Sequence, residues 1–109
     1  MSIVCGTDFS TGTQEAIRVA AALAGRRKEP LHLVHAIDMP LAATWDEDLR
    51  IRARDAAAVR LRAEVERARA LGTSSIEDSL SDGPADEVLV EKGAALEVSL
   101  IVLGAVGHA

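Results

Sequence analysis

The sequence predicts a doubly wound α/β domain, a three-layer sandwich with four parallel strands in one sheet and helices on both faces. Three observations lead there. Short apolar runs alternate with longer helical stretches in the order β-α-β-α-β-α-β, and that alternation implies parallel strands joined by right-handed crossovers. The opening run is continuously apolar at Ile3, Val4 and Cys5, as a strand covered on both faces is. The chain is 49% hydrophobic, yet Phe9 and Trp45 are its only aromatic residues. Its core is therefore Ala, Val, Leu and Ile, which suits close helix-on-sheet packing. At 109 residues it makes a single domain, 1–109.

The elements follow in order. Ser2 to Thr7 is the first strand, with Asp8 at its C-terminal end. A helix spans Gly12 to Arg27, opened by a capping box of Thr11 and Gln14. Ile17, Ala20, Ala21 and Ala24 share one face, and Arg26, Arg27 and Lys28 complement the dipole at its end. "LHLVHAI", Leu31 to Ile37, is the second strand, entered through Pro30 and left through Asp38-Met39-Pro40.

The longest helix starts at an N-cap on Thr44, carries Asp46, Glu47 and Asp48 in its first turn, and stops at Gly72. Leu49, Ala53, Ala57, Leu61, Val65 and Ala68 form its inward stripe. Seven arginines between Arg50 and Arg69 interleave with Asp55, Glu64 and Glu66. The expectation is a solvated face laced with ion pairs rather than an anion-binding patch. "SSIEDSL" is polar enough for an edge strand. A third helix follows, capped by Ser81 or Asp82, with Pro84 in its first turn and Val88, Leu89 and Leu96 facing inward. Gly93 weakens that helix near its end. "LIVLG" is the fourth strand.

The net charge of −5 argues against nucleic-acid binding, which needs a basic face. No apolar run approaches the roughly 20 residues that cross a bilayer. The start lacks a signal-peptide layout, and one cysteine allows no internal disulfide. The expectation is a cytoplasmic protein that engages neither membrane nor nucleic acid.

In an open parallel sheet, ligands bind outside the carboxyl ends of the strands, at the switch point. Three strand ends carry informative residues here: "GTDFS", "HAID" and "GAVGHA". Asp8 is either a carboxylate for a ribose hydroxyl or a metal-bound phosphate, or the anchor of an Asx turn before the helix. Gly104 and Gly107 are either a turn or a backbone nest that approaches phosphate. His35 reads as a structural histidine and Cys5 as a small core residue, whereas His32 and His108 have no partner constellation. There is no zinc spacing, no P-loop and no nucleophile elbow.

Together "IVCGTDFS", "LHLVHAID", "SDGPADEVL" and "LIVLGAVGHA" resemble, in order and across the whole chain, the universal stress protein family. The resemblance implies a Rossmann-like sheet ordered 3-2-1-4-5, a homodimer, and in ATP-binding members a G-x-x-G, about nine residues, then G-[ST]. It implies that Thr7 and Asp8 meet the nucleotide, and that Asp8 contacts the ribose or a phosphate-bound metal. It further implies that the Ala36 backbone reads the adenine edge and that Leu103, Gly104 and Gly107 open the phosphate loop. Two departures stand out. The G-[ST] half and the fifth strand do not occur within these residues, which reads as a C-terminally short form. Gly6 stands where Pro, Ala or Val is usual. The resemblance makes the chain a non-enzymatic switch that binds ATP with Mg²⁺. The alternative is a member that holds no ATP and acts as a structural or protein-interaction module, dimerising or assembling further through an exposed sheet edge.

Overall fold

The computed structural model describes residues 1–39, 45–72, 75–96 and 98–103. Strands β1 (Ser2–Gly6), β2 (Leu31–Ile37), β3 (Ile76–Asp82) and β4 (Val98–Leu103) alternate with helices α1 (Thr11–Arg27), α2 (Glu47–Ala70) and α3 (Ala85–Leu96). All pairings are parallel, in the order β3-β2-β1-β4. This is the expected doubly wound α/β fold, with β3 at one edge as its polar sequence foretold.

The order has a direct packing consequence. From β1 the chain steps outward to β2 and β3 through α1 and α2, then crosses to the other side of β1 through α3. Right-handed crossovers in opposite directions put their helices on opposite faces. One core accordingly joins Ile3, Cys5, Leu31 and Leu33 to α1 and α2. The other joins Val4 and Val34 to Val88 of α3. Successive strand residues point to opposite faces, so β1 and β2 divide their side chains between two helical layers. Four alanines of α1, Ala16, Ala20, Ala21 and Ala24, are buried in the first core, which lets that helix lie close to the sheet.

Local chemistry departs from the sequence reading at four places. Helix α1 is capped by Ser10, whose side chain accepts from the Thr13 N–H, and not by Thr11, which is exposed and helical. Helix α2 is capped by Asp46; Thr44 lies outside the described residues. Ser81 and Asp82 do not cap α3, because their backbone is used in the ladder opposite Ala36 and Ile37. The chain turns instead at Gly83, with φ +125°, and the Pro84 carbonyl accepts from Val88. Strand β4 begins at Val98, two residues early, and α3 runs unbroken through Gly93.

Gly72 ends α2 as expected, with φ +99°. Leu49 is exposed, so the inward stripe of α2 begins one turn later than its spacing suggested.

The capping reassignment predicts that Ser10→Ala costs about 1 kcal/mol of stability, while Thr11→Ala stays within about 0.5 kcal/mol. Urea unfolding of both variants checks this, and the reverse ranking contradicts it.

Candidate functional site

The switch point of this sheet lies between β1 and β4, where the strand order changes direction. A cavity of about 260 Å³ opens at that end, on the α3 side. Its apolar lining comes from Gly6, Val34, Ala36, Val88, Leu89 and Leu103, and its polar lining from Thr7, Asp8, Thr13 and Asp86. The cavity therefore gathers Thr7, Asp8, Ala36 and Leu103. Gly104 and Gly107, and with them His108, lie outside the described residues.

Gly6 is what makes room. A Cβ there would stand 2.9 Å from Leu89 Cδ1 and 3.1 Å from its Cδ2. Both are flexible side-chain ends, so a larger residue would push Leu89 across the cavity rather than break the strand. Gly6 is thus part of the wall of the cavity.

Asp8 follows β1 as an exposed carboxylate. Its Oδ1 accepts from the Ser10 N–H at 2.9 Å and from the Thr13 hydroxyl. Those hydrogen bonds, from Ser10 first and then Thr13, hold its pKa at about 2. The Asx turn is present, and it fixes the side chain at the cavity without burying it. Asp86 lies in the first turn of α3, where the helix dipole favours negative charge. Among the described residues no Lys or Arg lines this cavity.

Thr7 sits on the opposite side of the strand by the same alternation. Its hydroxyl donates to Glu64 Oε1 of α2 at 2.6 Å and accepts from the Phe9 N–H at 3.1 Å. Its carbonyl accepts at 2.7 Å from His35 Nδ1, which must therefore carry a proton. The His35 ring stacks on Phe9 with centroids 4.1 Å apart, and the Arg60 guanidinium lies 4.8 Å from the Phe9 centroid. His35 is structural, as expected.

Glu64 corrects the reading of α2 as a uniformly solvated charged face. It is 1% exposed. Burial pushes its pKa up, against the Thr7 hydroxyl and the Arg67 charge. Oε2 has no hydrogen-bond partner among the described residues and faces Arg67 at 4.0 Å. The same carboxylate adds to burial in raising the Cys5 thiol to about 12, so Cys5 is an inert core residue. Elsewhere on α2 the ion pairs are as foreseen, Arg52 with Asp48 and Arg69 with Glu66, each at 2.8 Å.

His32 also has partners that its sequence context hid. Its Nε2 lies 3.1 Å from Ser79 Oγ and its Nδ1 3.5 Å from Glu77 Oε2, across the β2–β3 pairing. Burial lowers its pKa. The three lie along the sheet rather than at its carboxyl end, and the cavity does not include them. Among the described residues no group of three or more His, Cys, Asp or Glu could hold a metal ion. No described helix is long and apolar enough to cross a membrane.

A parallel α/β sheet with a crevice at its switch point and a fixed carboxylate beside it defines an α/β domain of the doubly wound class, a class whose ligands bind outside the strand ends. Comparison with known proteins gives the family. A family model described as the universal stress protein family matches residues 1–109, and the chain belongs to that family. Protein Rv1636 of Mycobacterium tuberculosis H37Rv is 26% identical, with a TM-score of 0.75 over 99% of this chain and 73% of that one. A universal stress protein solved in complex with cAMP is 23% identical, with a TM-score of 0.78 over 94% of this chain and 74% of that one. The universal stress protein UspA of Lactobacillus plantarum is 22% identical, with a TM-score of 0.78 over 98% and 79%. No curated protein matches significantly.

The Asp8 turn yields a pH prediction. Thr13→Val moves the Asp8 midpoint upward from about 2 toward 3.8, read by carboxyl NMR. Because the folded value is the lower one, the stabilisation from ionised Asp8 is present above pH 3.8 and lost as the pH falls through about 2. Wild type therefore loses stability across that window more steeply than Asp8→Ala. Parallel curves contradict the assignment.

Proposed function

We propose that this universal stress protein binds an adenine nucleotide at the β1–β4 switch point and acts as a switch rather than a catalyst. The observation that carries this is the cavity itself, with apolar walls on both sides and the Asp8 carboxylate beside them. Flat, weakly polar bases are held by apolar surfaces, and a ribose offers hydroxyls that donate to a carboxylate. In this reading the base lies between Val88, Leu89 and Leu103, the Ala36 backbone meets its edge, and Asp8 and the Thr7 turn receive the sugar.

The volume supports a division of labour. About 260 Å³ is just below the roughly 300–1,000 Å³ of typical ligand pockets. It suits a base and its sugar, with the phosphates extending beyond. The lining also sets a charge condition. Among the described residues Asp8 and Asp86 are both anionic and no Lys or Arg lines the cavity, so in this reading a triphosphate is repelled there unless a divalent cation accompanies it. The carboxylates present fit a phosphate-bound Mg²⁺. A cyclic monophosphate, with one negative charge, needs no such partner. The relative solved with cAMP is in keeping with an adenine-class ligand.

A second reading rests on β4. It is the outer strand of the described sheet and is apolar, with Ile101 38% and Leu103 62% exposed. An open edge of that kind is a template for a further strand. It favours self-assembly, through which the chain would act as an interaction module with or without a nucleotide.

Isothermal titration with cAMP, and with ATP in the presence and absence of Mg²⁺, tests the first reading. The expected result is saturable binding, Mg²⁺-dependent for ATP. Asp8→Ala is expected to weaken it about ten-fold, the loss of one charge-assisted hydrogen bond, with the fold retained. No heat at millimolar nucleotide would sink the proposal. Light scattering tests the second reading, which a strictly monomeric chain contradicts.

A further inference from the structure

Glu64 is an anomaly in its own helix. A carboxylate 1% exposed is costly to bury, and an apolar side chain of similar size would pack there without that cost. Its position in the inward stripe between Leu61 and Ala68 therefore asks for something that packing does not supply.

The hydrogen bonds show what the carboxylate does. The Thr7 hydroxyl has a single proton, and it goes to Glu64 Oε1 at 2.6 Å. With that proton committed, the Thr7 oxygen presents a lone pair to the Phe9 N–H at 3.1 Å. Phe9 is held at φ 65°, a left-handed conformation that is unfavourable for a residue bearing a side chain. Two further contacts hold the same turn, His35 bonded to the Thr7 carbonyl and stacked on the Phe9 ring. Asp8 lies between Thr7 and Phe9. Its backbone is thus fixed on both sides, while its carboxylate takes its own bonds from Ser10 and Thr13.

We propose that Glu64 is a positioning residue of the ligand site: through the Thr7 hydroxyl, its carboxylate holds the left-handed Phe9 turn that presents Asp8 to the cavity. Glu64 touches no ligand. It works from the α2 layer, on the far side of the sheet from the cavity. The inference rests on the nucleotide reading for the identity of the ligand, but not for the turn that it controls.

The test uses the full chain and reads the turn directly. Glu64→Leu removes the acceptor and fills the space. The expected result is Phe9 amide exchange at least ten-fold faster relative to the Ile3 and Val4 amides, and an Asp8 carboxyl midpoint that rises from about 2. The affinity for cAMP is expected to fall about ten-fold. If Glu64→Leu does not fold, Thr7→Val breaks the same relay from its other end, and Thr7→Ser, which restores the hydroxyl, is expected to return the Phe9 protection. A role confined to packing would lower global stability while leaving Phe9 protection relative to β1 and the Asp8 midpoint unchanged, and that result overturns the proposal. If wild type binds no cAMP and no ATP, the nucleotide reading fails by itself, and the exchange and titration still decide the role of Glu64.

Discussion

Strand β1 is hydrogen-bonded along both edges, so its side chains have only two directions open to them. Those two directions organise the ligand end of the molecule. Ile3, Cys5 and Thr7 point to the α1–α2 layer, and Val4 and Gly6 to α3. At the carboxyl end the same alternation places the small residue, Gly6, where a cavity is needed, and the hydroxyl of Thr7 where α2 can hold it. A one-residue slip of β1 would exchange these roles and bury Val4 against the wrong helices. Register in the centre of the sheet and chemistry at its end are one constraint.

The site joins a soft wall to a rigid turn. Its wall is aliphatic and can yield, since the atoms nearest Gly6 are the ends of Leu89. The turn is closed by local bonds, Asp8 with Ser10 and Thr13 and Phe9 with Thr7, and by one bond from β2, His35 to the Thr7 carbonyl. Such an arrangement fixes where a polar ligand group must lie while tolerating some variation in what fills the apolar space. Its described polar lining is also acidic, through Asp8 and Asp86.

Much of this was legible in the sequence, and for identifiable reasons. Alternating strand and helix patterns are long-range signals, so the parallel sheet was readable from them, while its strand order came from the family resemblance. What escaped was of two kinds. Caps were misplaced by one or two residues because Ser10 and Thr11, or Thr44 and Asp46, are chemically interchangeable as cap candidates until the backbone is known. The burial of Glu64 was missed because charge was read before phase. Ala57, Leu61, Val65 and Ala68 already mark the inward stripe, and Glu64 falls four residues before Ala68 and three after Leu61. Its spacing carried the signal that its charge obscured. The partners of His32 escaped for a different reason: Glu77 and Ser79 come from β3, and only the register of a parallel pair brings them together.

The central claim is that ligand enters on the α3 side of the β1 end, into the cavity that Gly6 opens. A second cavity lies on the α2 side of the same strand ends, bordered by Ala53, Ala57 and Arg60, and shares Asp8 and Ala36 with the first. An amide-resolved NMR titration with cAMP distinguishes the two. The account predicts shifts concentrated at Gly6, Asp8, Val88, Leu89 and Leu103, with Ala53, Ala57 and Arg60 unmoved. Shifts centred on α2 instead, or none at saturating ligand, would contradict it.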